Sequence, residues 1–460
     1  MPQADQQSVV IVGGGFTGLA AAWRLARAGR HRLTVVERSS CLGGLAGDFA
    51  LQGTQIEKTY HHLFATDRHI LELARELGLA DKLVWCESSV GLLHGETIYP
   101  FMSPRDILAF KPCHFFNRLR LGLVALYLQR KKDWRPLAGQ AAQAWMRRAC
   151  GREVMEVVWE PLLRGKFHRY ADSISMAWLW HRIHSRGNSR HDAGSEKLGY
   201  FRGGFAVITN RIESELTKAG VVIQKNTGVD ALQIEEGRPV LLMDGRRETF
   251  DRCVFTGPSA ALARLLTTEG EEGSCGGHRP PLQFERGKGL EAYRRRLQSI
   301  DYLGAISLVF VSKQAIGEYY WLNINRADAP FLVFIRHTKL VDKSWYNGNE
   351  VYYIGSYQPH DSPLFSMSEE EISGLWFGFL KKIYPQFDAA QVVEKHLFKL
   401  KYAQHIVDTD YQSKIPACQT PLAGVWLCNF SQVYPEDRGT NYAVREGLHI
   451  ADLLLQEAKC

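Results

Sequence analysis

Three glycines near the start of the chain have the spacing of a turn that binds phosphates. Gly13, Gly15 and Gly18 form a G-x-G-x-x-G pattern between the apolar run 9–12 and residues 19–28, which have helical character. The first glycine permits a tight turn, the second lets a pyrophosphate approach the backbone, and the third lets helix and strand pack closely. The N–H groups at the start of the helix would face the phosphates. The pattern therefore predicts a dinucleotide site.

An acid and a second pair of glycines follow this turn. Glu37 lies nineteen residues after Gly18, at the end of a second apolar stretch. Its carboxylate can accept hydrogen bonds from both ribose hydroxyls of an adenosine. Gly43 and Gly44 would let the backbone pass close to a bound cofactor, because glycine carries no side chain.

The run from residue 13 to residue 44 resembles the FAD-binding start of the flavin amine oxidase, protoporphyrinogen oxidase and phytoene desaturase superfamily. In that superfamily the G-x-G-x-x-G is followed by E-R and then by a G-G pair. The resemblance implies that the cofactor is FAD. The residues that it assigns to FAD in this region are Gly13, Gly15, Phe16, Thr17, Gly18, Glu37, Arg38, Gly43, Gly44, Leu45 and Ala46.

Residues 424–455 resemble the C-terminal FAD motif of the same superfamily. There, an acid near a turn holds the ribityl chain, and the following helix points its N-terminus at the flavin pyrimidine ring. Asp437 matches this acid, with Glu436 as the second choice. The other residues assigned to the cofactor are Val229, on a strand whose backbone meets the adenine, and Asn441, Tyr442 and Ala443 at the helix start.

A histidine pair is the first candidate for the chemistry itself. The segment 55–64 resembles the part of the superfamily that leads onto the isoalloxazine face, and His61 is the best match for its histidine. Tyr60 and His62 lie beside it, and Tyr60 is also assigned to the cofactor. A histidine there could tune the flavin potential or move a proton, since its ordinary pKa is near neutrality. The alternative is a hydrogen-bonded pair at a domain joint.

Lys166 is the second candidate. The superfamily places a loop like 159–168 near its substrate cavity, where a lysine could steer an anionic group or hold a water near flavin N5. An exposed lysine in a salt bridge is the favoured interpretation, because lysines are mostly exposed. His181 and His184, with His191 beyond, have spacing that could share a helix face, but no acid or cysteine completes a zinc set. No metal is predicted.

The length of 460 residues predicts two intertwined domains rather than one core. The expected fold class is α/β: a Rossmann-like FAD-binding domain (glutathione reductase-like, p-hydroxybenzoate hydroxylase-type) with an intertwined α+β substrate domain. The FAD-binding segments are 1–85, 200–267 and 410–460. The substrate-domain segments are 86–199, which is helical, and 268–409, an antiparallel sheet plus a helix. Residues 268–289, with Cys275 and His278, are predicted to be a solvated linker.

Composition limits the location and the partners. The net charge of +7 permits contact with anionic surfaces without demanding nucleic acid, and no nucleic-acid motif is present. The nine cysteines are scattered and odd in number, which favours a reducing compartment. The polar N-terminus shows no signal peptide. We therefore expect a cytoplasmic protein that acts on a small molecule; the oligomeric state is not predicted.

The stretch 110–136 mixes aromatic and apolar residues with lysines and arginines. The favoured interpretation is a substrate-domain helix whose apolar side is core, because amphipathic helices usually cover cores. The alternative is a helix in the interface at the inner face of a membrane. The cations that would then face lipid phosphates are Arg118, Arg120, Arg130, Lys131 and Lys132.

The resemblance implies an FAD-dependent oxidoreductase that takes a hydride from a C–N or C–C bond of an organic substrate. An apolar compound is one class of substrate that the resemblance allows. A first alternative is a redox-neutral flavin mutase or isomerase acting on a sugar nucleotide or polyene. That activity would need an anion-binding set, for which the candidates are Arg164, Arg182, Arg186 and Arg336. A second is a non-enzymatic binding protein like the Rab GDP-dissociation inhibitors.

Overall fold

The computed structural model describes residues 6–188, 196–266 and 287–457. The strands in these ranges are β1 (Gln7–Val12), β2 (His31–Val36), β3 (Asp48–Leu51), β4 (Thr54–Glu57), β5 (Leu83–Glu87), β6 (Val90–His94), β7 (Thr97–Pro100), β8 (Lys197–Phe201), β9 (Val222–Gln224), β10 (Val229–Glu235), β11 (Arg238–Met243), β12 (Arg246–Thr249), β13 (Arg252–Phe255), β14 (Tyr302–Ser312), β15 (Trp321–Ile324), β16 (Val333–Arg336), β17 (Glu350–Gln358), β18 (Val392–His405) and β19 (Val425–Leu427).

The α-helices in the same ranges are α1 (Phe16–Ala28), α2 (Arg68–Glu76), α3 (Pro104–Ala109), α4 (Phe115–Arg130), α5 (Arg135–Ala138), α6 (Ala142–Cys150), α7 (Arg152–Val154), α8 (Glu160–Phe167), α9 (Met176–Asn188), α10 (Ala206–Lys218), α11 (Ser259–Leu265), α12 (Gly287–Gln298), α13 (Glu369–Ile383), α14 (Tyr411–Lys414) and α15 (Thr440–Glu457). Residues 268–286 of the predicted linker lie outside the described residues, and its last three begin α12.

A five-stranded parallel sheet carries the first glycine pattern. Its strand order is β19-β13-β1-β2-β9, so β1 lies at its centre. Val9, Val10 and Ile11 are fully buried, because a central parallel strand is covered on both faces. β1, α1 and β2 form the βαβ unit expected from the sequence, and β19 comes from the far end of the chain. The predicted α/β fold with a Rossmann-like domain is confirmed.

A seven-stranded sheet forms the second layer of the molecule. Its order is β18-β14-β17-β16-β15-β6-β7, and all neighbours are antiparallel except β15 and β6. Every residue of β14 is buried, and this strand pairs with β17 and β18 on its two sides. The strands β14 to β18 therefore form the antiparallel sheet predicted between residues 268 and 409. α13 covers this sheet and starts with a capping box between Ser368 and Glu371.

α4 departs from the favoured interpretation of the stretch 110–136. Leu121 and Leu128 are buried, but the other large apolar residues of the helix lie mostly at the surface. Phe116 is 80% exposed and Leu123 is 68% exposed. The prediction that the apolar side of this helix is core is therefore wrong for most of its apolar residues. The helix is apolar on two sides, and the side that carries Leu121 and Leu128 is the buried one.

Candidate active site

The first glycine pattern forms the expected turn between β1 and α1. Gly13 has a φ of +112°, a conformation that L side chains rarely adopt. A Cβ placed on Gly18 would lie 2.0 Å from the carbonyl oxygen of Gly13, so the helix can cross the strand this closely only with glycine there. Gly15 is the N-cap of α1, and no side chain caps the helix. Its first N–H groups are thus left for a ligand.

The second glycine pair lies directly against this turn. Gly15 and Gly43 form a parallel bridge, and the N–H of Gly43 donates to the carbonyl of Gly14 at 2.8 Å. A Cβ on Gly44 would lie 3.0 Å from the Cα of Gly15. Leu45 and Ala46 continue into a short 3₁₀ turn. Together these backbones form a side-chain-free cradle beside a helix N-terminus, which fits the pyrophosphate of FAD.

Glu37 stands above the turn at the end of β2. Its carboxylate accepts hydrogen bonds from the N–H of Gly14 and from that of Ser39, both at 2.7 Å. The backbone of 226–227 also lies beside it, since the N–H of Thr227 donates to the carbonyl of Glu37 at 3.0 Å. Val229 begins β10 two residues later. The structure therefore brings the ribose candidate and the adenine candidate to the same end of the parallel sheet.

The C-terminal helix packs directly on α1. A Cβ on Gly447 of α15 would lie 2.3 Å from the carbonyl oxygen of Thr17, so the two helices are in backbone contact. The side-chain oxygen of Asn441 accepts from the N–H of His69 at 2.9 Å and from that of Ile70 at 3.3 Å, and thereby satisfies the start of α2. The side chain of Asn441 is therefore engaged within the fold.

The histidine pair lies between the two sheets. The Nδ1 of His61 is 2.7 Å from the carbonyl oxygen of Thr59, and the Nδ1 of His62 is 2.9 Å from the hydroxyl of Tyr320. Burial lowers the pKa of His61 to about 4 and that of His62 to about 3. Both rings are therefore neutral at pH 7, and neither supplies a positive charge. Tyr60 packs edge-on against Trp321, with ring centroids 4.8 Å apart.

Lys166 is largely buried rather than exposed, so the prediction of a surface position is wrong. Its side chain is 12% exposed and its Nζ lies 3.6 Å from the Oδ2 of Asp437, which supplies the expected salt bridge. The ammonium also lies over the rings of Trp178 and Tyr357, at 4.6 and 5.1 Å from their centroids. α8 thus places this lysine against the loop that precedes α15.

Two arginines share the same carboxylate environment. Arg182 donates to the Oδ2 of Asp437 at 2.6 Å, and the indole N–H of Trp178 donates to its Oδ1 at 3.1 Å. Arg438 follows Asp437 in the chain and donates to the hydroxyl of Tyr357 at 2.7 Å. We call Lys166, Arg182 and Arg438 the cation cluster. It holds three cations around one carboxylate, and elements from three parts of the chain meet there.

The charges of the cluster perturb one another. Burial lowers the pKa of Lys166 to about 8, although Asp437 opposes this shift. Burial alone would raise the pKa of Asp437, but Lys166, Arg182 and Arg438 together hold it well below its usual range. In the same way Arg438 and Lys166 lower the pKa of the Tyr357 hydroxyl against the effect of burial. The cluster therefore keeps a net positive charge at pH 7.

The sequence marks Arg182 only as a candidate for a mutase. It singles out neither Arg438 of the cluster nor Tyr357 beside it. Position next to the predicted acid was a usable signal for Arg438, but nothing in the long apolar strand β17 marks Tyr357. Glu436, the second choice for the ribityl acid, pairs with Arg445 at 2.8 Å.

The other candidates for anion or metal binding are not brought together. Arg164 pairs with Glu160 and Arg336 with Glu350, both at 3.0 Å. The ring of His184 stacks on Trp180. Within 6–188, 196–266 and 287–457, no three His, Cys, Asp or Glu residues are arranged to hold a metal ion. The remaining metal candidates lie outside the described residues; they are His191, Cys275 and His278.

Comparison with known proteins identifies the family. The family model described as flavin containing amine oxidoreductase matches residues 16–404. Coproporphyrinogen III oxidase of Propionibacterium freudenreichii subsp. freudenreichii is 25% identical in an alignment over 331 residues; the match covers 58% of this chain and 59% of that protein. The match therefore spans less than two thirds of this curated relative.

Two solved structures extend the likeness to the whole chain at the level of the fold. A candidate protoporphyrinogen oxidase from Exiguobacterium sp. 255-15 has a TM-score of 0.75 at 18% identity and covers 99% of this chain and 100% of its own. A reduced UDP-galactopyranose mutase has a TM-score of 0.74 at 13% identity, with coverage of 98% and 96%.

The family model covers most of the chain, and the backbone cradle fits its cofactor. The predicted superfamily is confirmed, as are FAD as the cofactor and an oxidoreductase class at the level of the family. The chain belongs to the flavin-containing amine oxidoreductases, a family of FAD-dependent oxidoreductases.

Proposed function

We propose that this protein oxidises a C–N or C–C bond of an organic substrate that carries an anionic group. The observation that supports the proposal is the cation cluster, which surrounds one carboxylate with three cations. A buried positive charge without a full counter-charge is costly, so a substrate carboxylate or phosphate would complete it. The same charge would disfavour a cationic amine.

The residues of the cluster have distinct roles in this proposal. Lys166 would bind the substrate anion, since with a pKa of about 8 it is mostly protonated at pH 7. Arg182, 40% exposed, would meet the substrate first. Tyr357 can hold or give a proton at its hydroxyl, which Arg438 orients. FAD supplies the hydride acceptor when bound, and oxygen, a quinone or another acceptor reoxidises it.

The cofactor residues form a second part of the proposal. The pyrophosphate would be held by Gly13, Gly15 and Gly18 together with the N-terminus of α1. Glu37 would bind the ribose. The backbone of 441–443 would face the flavin, because the side chain of Asn441 is committed to α2. We also propose that the chain alternates between two domains in five segments. The segments 1–85, 200–267 and 410–460 would form the FAD-binding domain.

The relatives make the substrate class testable. Coproporphyrinogen III, the compound in the name of the curated relative, is a polycarboxylate, whereas putrescine, bound in a solved putrescine oxidase of the same fold, is a diamine. We expect coproporphyrinogen III or another polycarboxylate to bleach the flavin of the purified protein anaerobically, and putrescine not to. Bleaching by putrescine with no response to any anionic compound would contradict the proposal.

A matched pair of variants tests the assignment to the cluster. Lys166→Met should raise the KM of the anionic substrate about tenfold or more, because a charge-assisted contact contributes roughly 1.5–3 kcal/mol. Arg164→Met is the control, since Arg164 lies on the same helix but pairs with Glu160 at the surface. Equal effects of both variants on KM, with both proteins folded, would place the substrate elsewhere.

A redox-neutral reaction on a sugar nucleotide is the second candidate. The same cation cluster favours it, because a diphosphate is also an anion, and a mutase shares the fold. Net consumption of an electron acceptor during turnover identifies the oxidoreductase. Turnover that needs reduced flavin but consumes no acceptor identifies the mutase.

We propose that the protein works in a reducing compartment, the cytoplasm. Within it, we propose a location at the periphery of a membrane. The seven cysteines in the described residues are all free thiols, which supports such a compartment. None of the described helices combines the length and the apolarity needed to cross a bilayer.

A further inference from the structure

α4 exposes a stripe of large apolar side chains. We call this stripe the α4 face; its members are Phe115, Phe116, Leu119, Leu123, Leu126 and Tyr127. Their exposed fractions range from 38% for Leu119 to 80% for Phe116. Within the described part of the chain, only five other large apolar residues are exposed to a similar degree, and one of them, Leu108, lies on the neighbouring helix α3. A concentration of this kind marks an interaction site.

The positions of these residues place them on one side of the helix. Phe116, Leu119, Leu123 and Tyr127 follow a spacing of three to four residues, which is the period of a helix face. Leu121 and Leu128, one heptad apart, are buried on the opposite side. The buried side accounts for how the helix packs on the protein. The α4 face needs a second apolar partner.

Positive charge predominates in the stretch of chain that carries the α4 face. The stretch 110–136 contains seven lysines and arginines and one aspartate. Arg118 donates to the carbonyl of Leu108, and Arg120 donates to those of Arg148 and Ala149, so both keep their full charge. Six cations of this stretch form no ion pair with an acid in the described ranges; they are Lys111, Arg118, Arg120, Arg130, Lys131 and Lys132.

We propose that the α4 face binds the surface of a bilayer that contains anionic phospholipids. The helix would lie in the plane of the interface, with Phe116 and Leu123 among the acyl chains and the flanking cations at the phosphates. Leu123, Leu126 and Tyr127 also line a shallow groove with Arg130 and Lys131, which brings apolar and cationic groups together at one place. This pairing is the chemistry of an anionic lipid.

A second copy of this chain is a poorer occupant. In a two-fold symmetric dimer the same patch meets itself, so the cations that flank the face would oppose one another. A bilayer with anionic head groups offers apolar chains and opposite charge in the arrangement that the face requires. The inference names the surface behind the peripheral location proposed above. It is independent of the proposed substrate chemistry, because none of its residues belongs to the cation cluster.

Vesicle binding of the full chain with FAD tests the inference. We expect the protein to sediment with vesicles of phosphatidylcholine containing phosphatidylglycerol, and at least tenfold less with phosphatidylcholine alone. Raising the salt concentration should weaken binding, because screening shortens the reach of surface charges. The double variant Phe116→Glu/Leu123→Glu should bind these vesicles at least tenfold less, with unchanged flavin absorbance. Leu375→Glu, at an exposed apolar residue of α13, is the matched control and should bind like the wild type.

Several outcomes would overturn it. Binding of the double variant equal to that of the wild type would show that the α4 face does not contact lipid. Equal binding to both kinds of vesicle at every salt concentration would remove the role of the cations. Light scattering could instead show a wild-type dimer that is a monomer in the double variant. Together with an absence of vesicle binding, that result would show that a second copy covers the face.

Discussion

Single residues of this protein change character according to what the fold places around them. Lys166 would be a surface lysine by composition alone, yet it lies against Asp437 and between aromatic rings. The sequence around it contains no pattern that predicts this burial, because the partners come from distant segments. By contrast Gly13 and Gly18 could be predicted, since the positive φ of Gly13 and the contact of Gly18 with the carbonyl of Gly13 both arise within a few residues of chain.

Glu57 is a second residue whose surroundings change its chemistry. Its side chain is fully buried, and it accepts hydrogen bonds from the hydroxyl of Tyr200 at 2.7 Å and from the N–H of Phe205 at 2.5 Å. Burial raises the pKa of its carboxyl group from 4.5 to about 7. The folded protein therefore binds a proton that the unfolded chain releases between these two pH values.

The stability of the protein should consequently fall as the pH rises from about 4.5 through 7. Glu57→Gln stays neutral and should remove this part of the pH dependence, making the variant more stable than the wild type above pH 7 by up to about 3 kcal/mol. Urea unfolding at a series of pH values measures the difference.

Glu350 gives the contrasting control for this prediction. Burial acts to raise its pKa, but hydrogen bonds from Arg336 and Thr338 lower it overall. Glu350→Gln should therefore lose stability mainly at high pH, where the wild-type carboxylate is charged and paired. A Glu57→Gln variant with the same pH dependence as the wild type would show that Glu57 is not the titrating group.

At the scale of elements, the helices and strands with clear local signals could be predicted. α1 and α15 lie close to their predicted positions because glycines and apolar spacing mark them. α4 is the informative exception. Its apolar residues at helical spacing indicated a helix, but spacing alone does not say whether an apolar side meets the protein or something else.

The contact between α1 and α15 supplies the prediction at this scale. Gly447→Ala should destabilise the protein by about 1–3 kcal/mol, because the added methyl group would lie 2.3 Å from the carbonyl oxygen of Thr17. Since α1 begins at the glycine turn, FAD affinity should fall with it. Thermal unfolding and FAD titration measure the two effects.

Gly378→Ala is the control for this substitution. Gly378 lies in the middle of α13 with no atom within 4 Å of the added Cβ. Alanine there should stabilise the protein by roughly 1 kcal/mol, as expected for an open helical position. A Gly447→Ala protein as stable as the wild type, with normal FAD affinity, would show that the two helices can separate without cost.

At the scale of the whole molecule, the C-terminal segment packs against the N-terminal segment. β19 joins the sheet of β1, and α15 packs on α1, so segments more than 400 residues apart form one side of the site. Motifs at the two ends allowed the cofactor and the fold class to be predicted. The cation cluster could not be predicted, because it depends on how α8, α9 and β17 meet the C-terminal loop.

The central claim is that FAD is held by the glycine turn and Glu37 at one end and by the C-terminal helix at the other. Titration of the apoprotein with FAD, followed by flavin fluorescence, tests it most directly when wild type and Glu37→Ala are compared. The variant should bind FAD about ten- to a hundredfold more weakly, since hydrogen bonds to a charged group contribute roughly 1.5–3 kcal/mol. An unchanged dissociation constant in a folded variant would contradict the account.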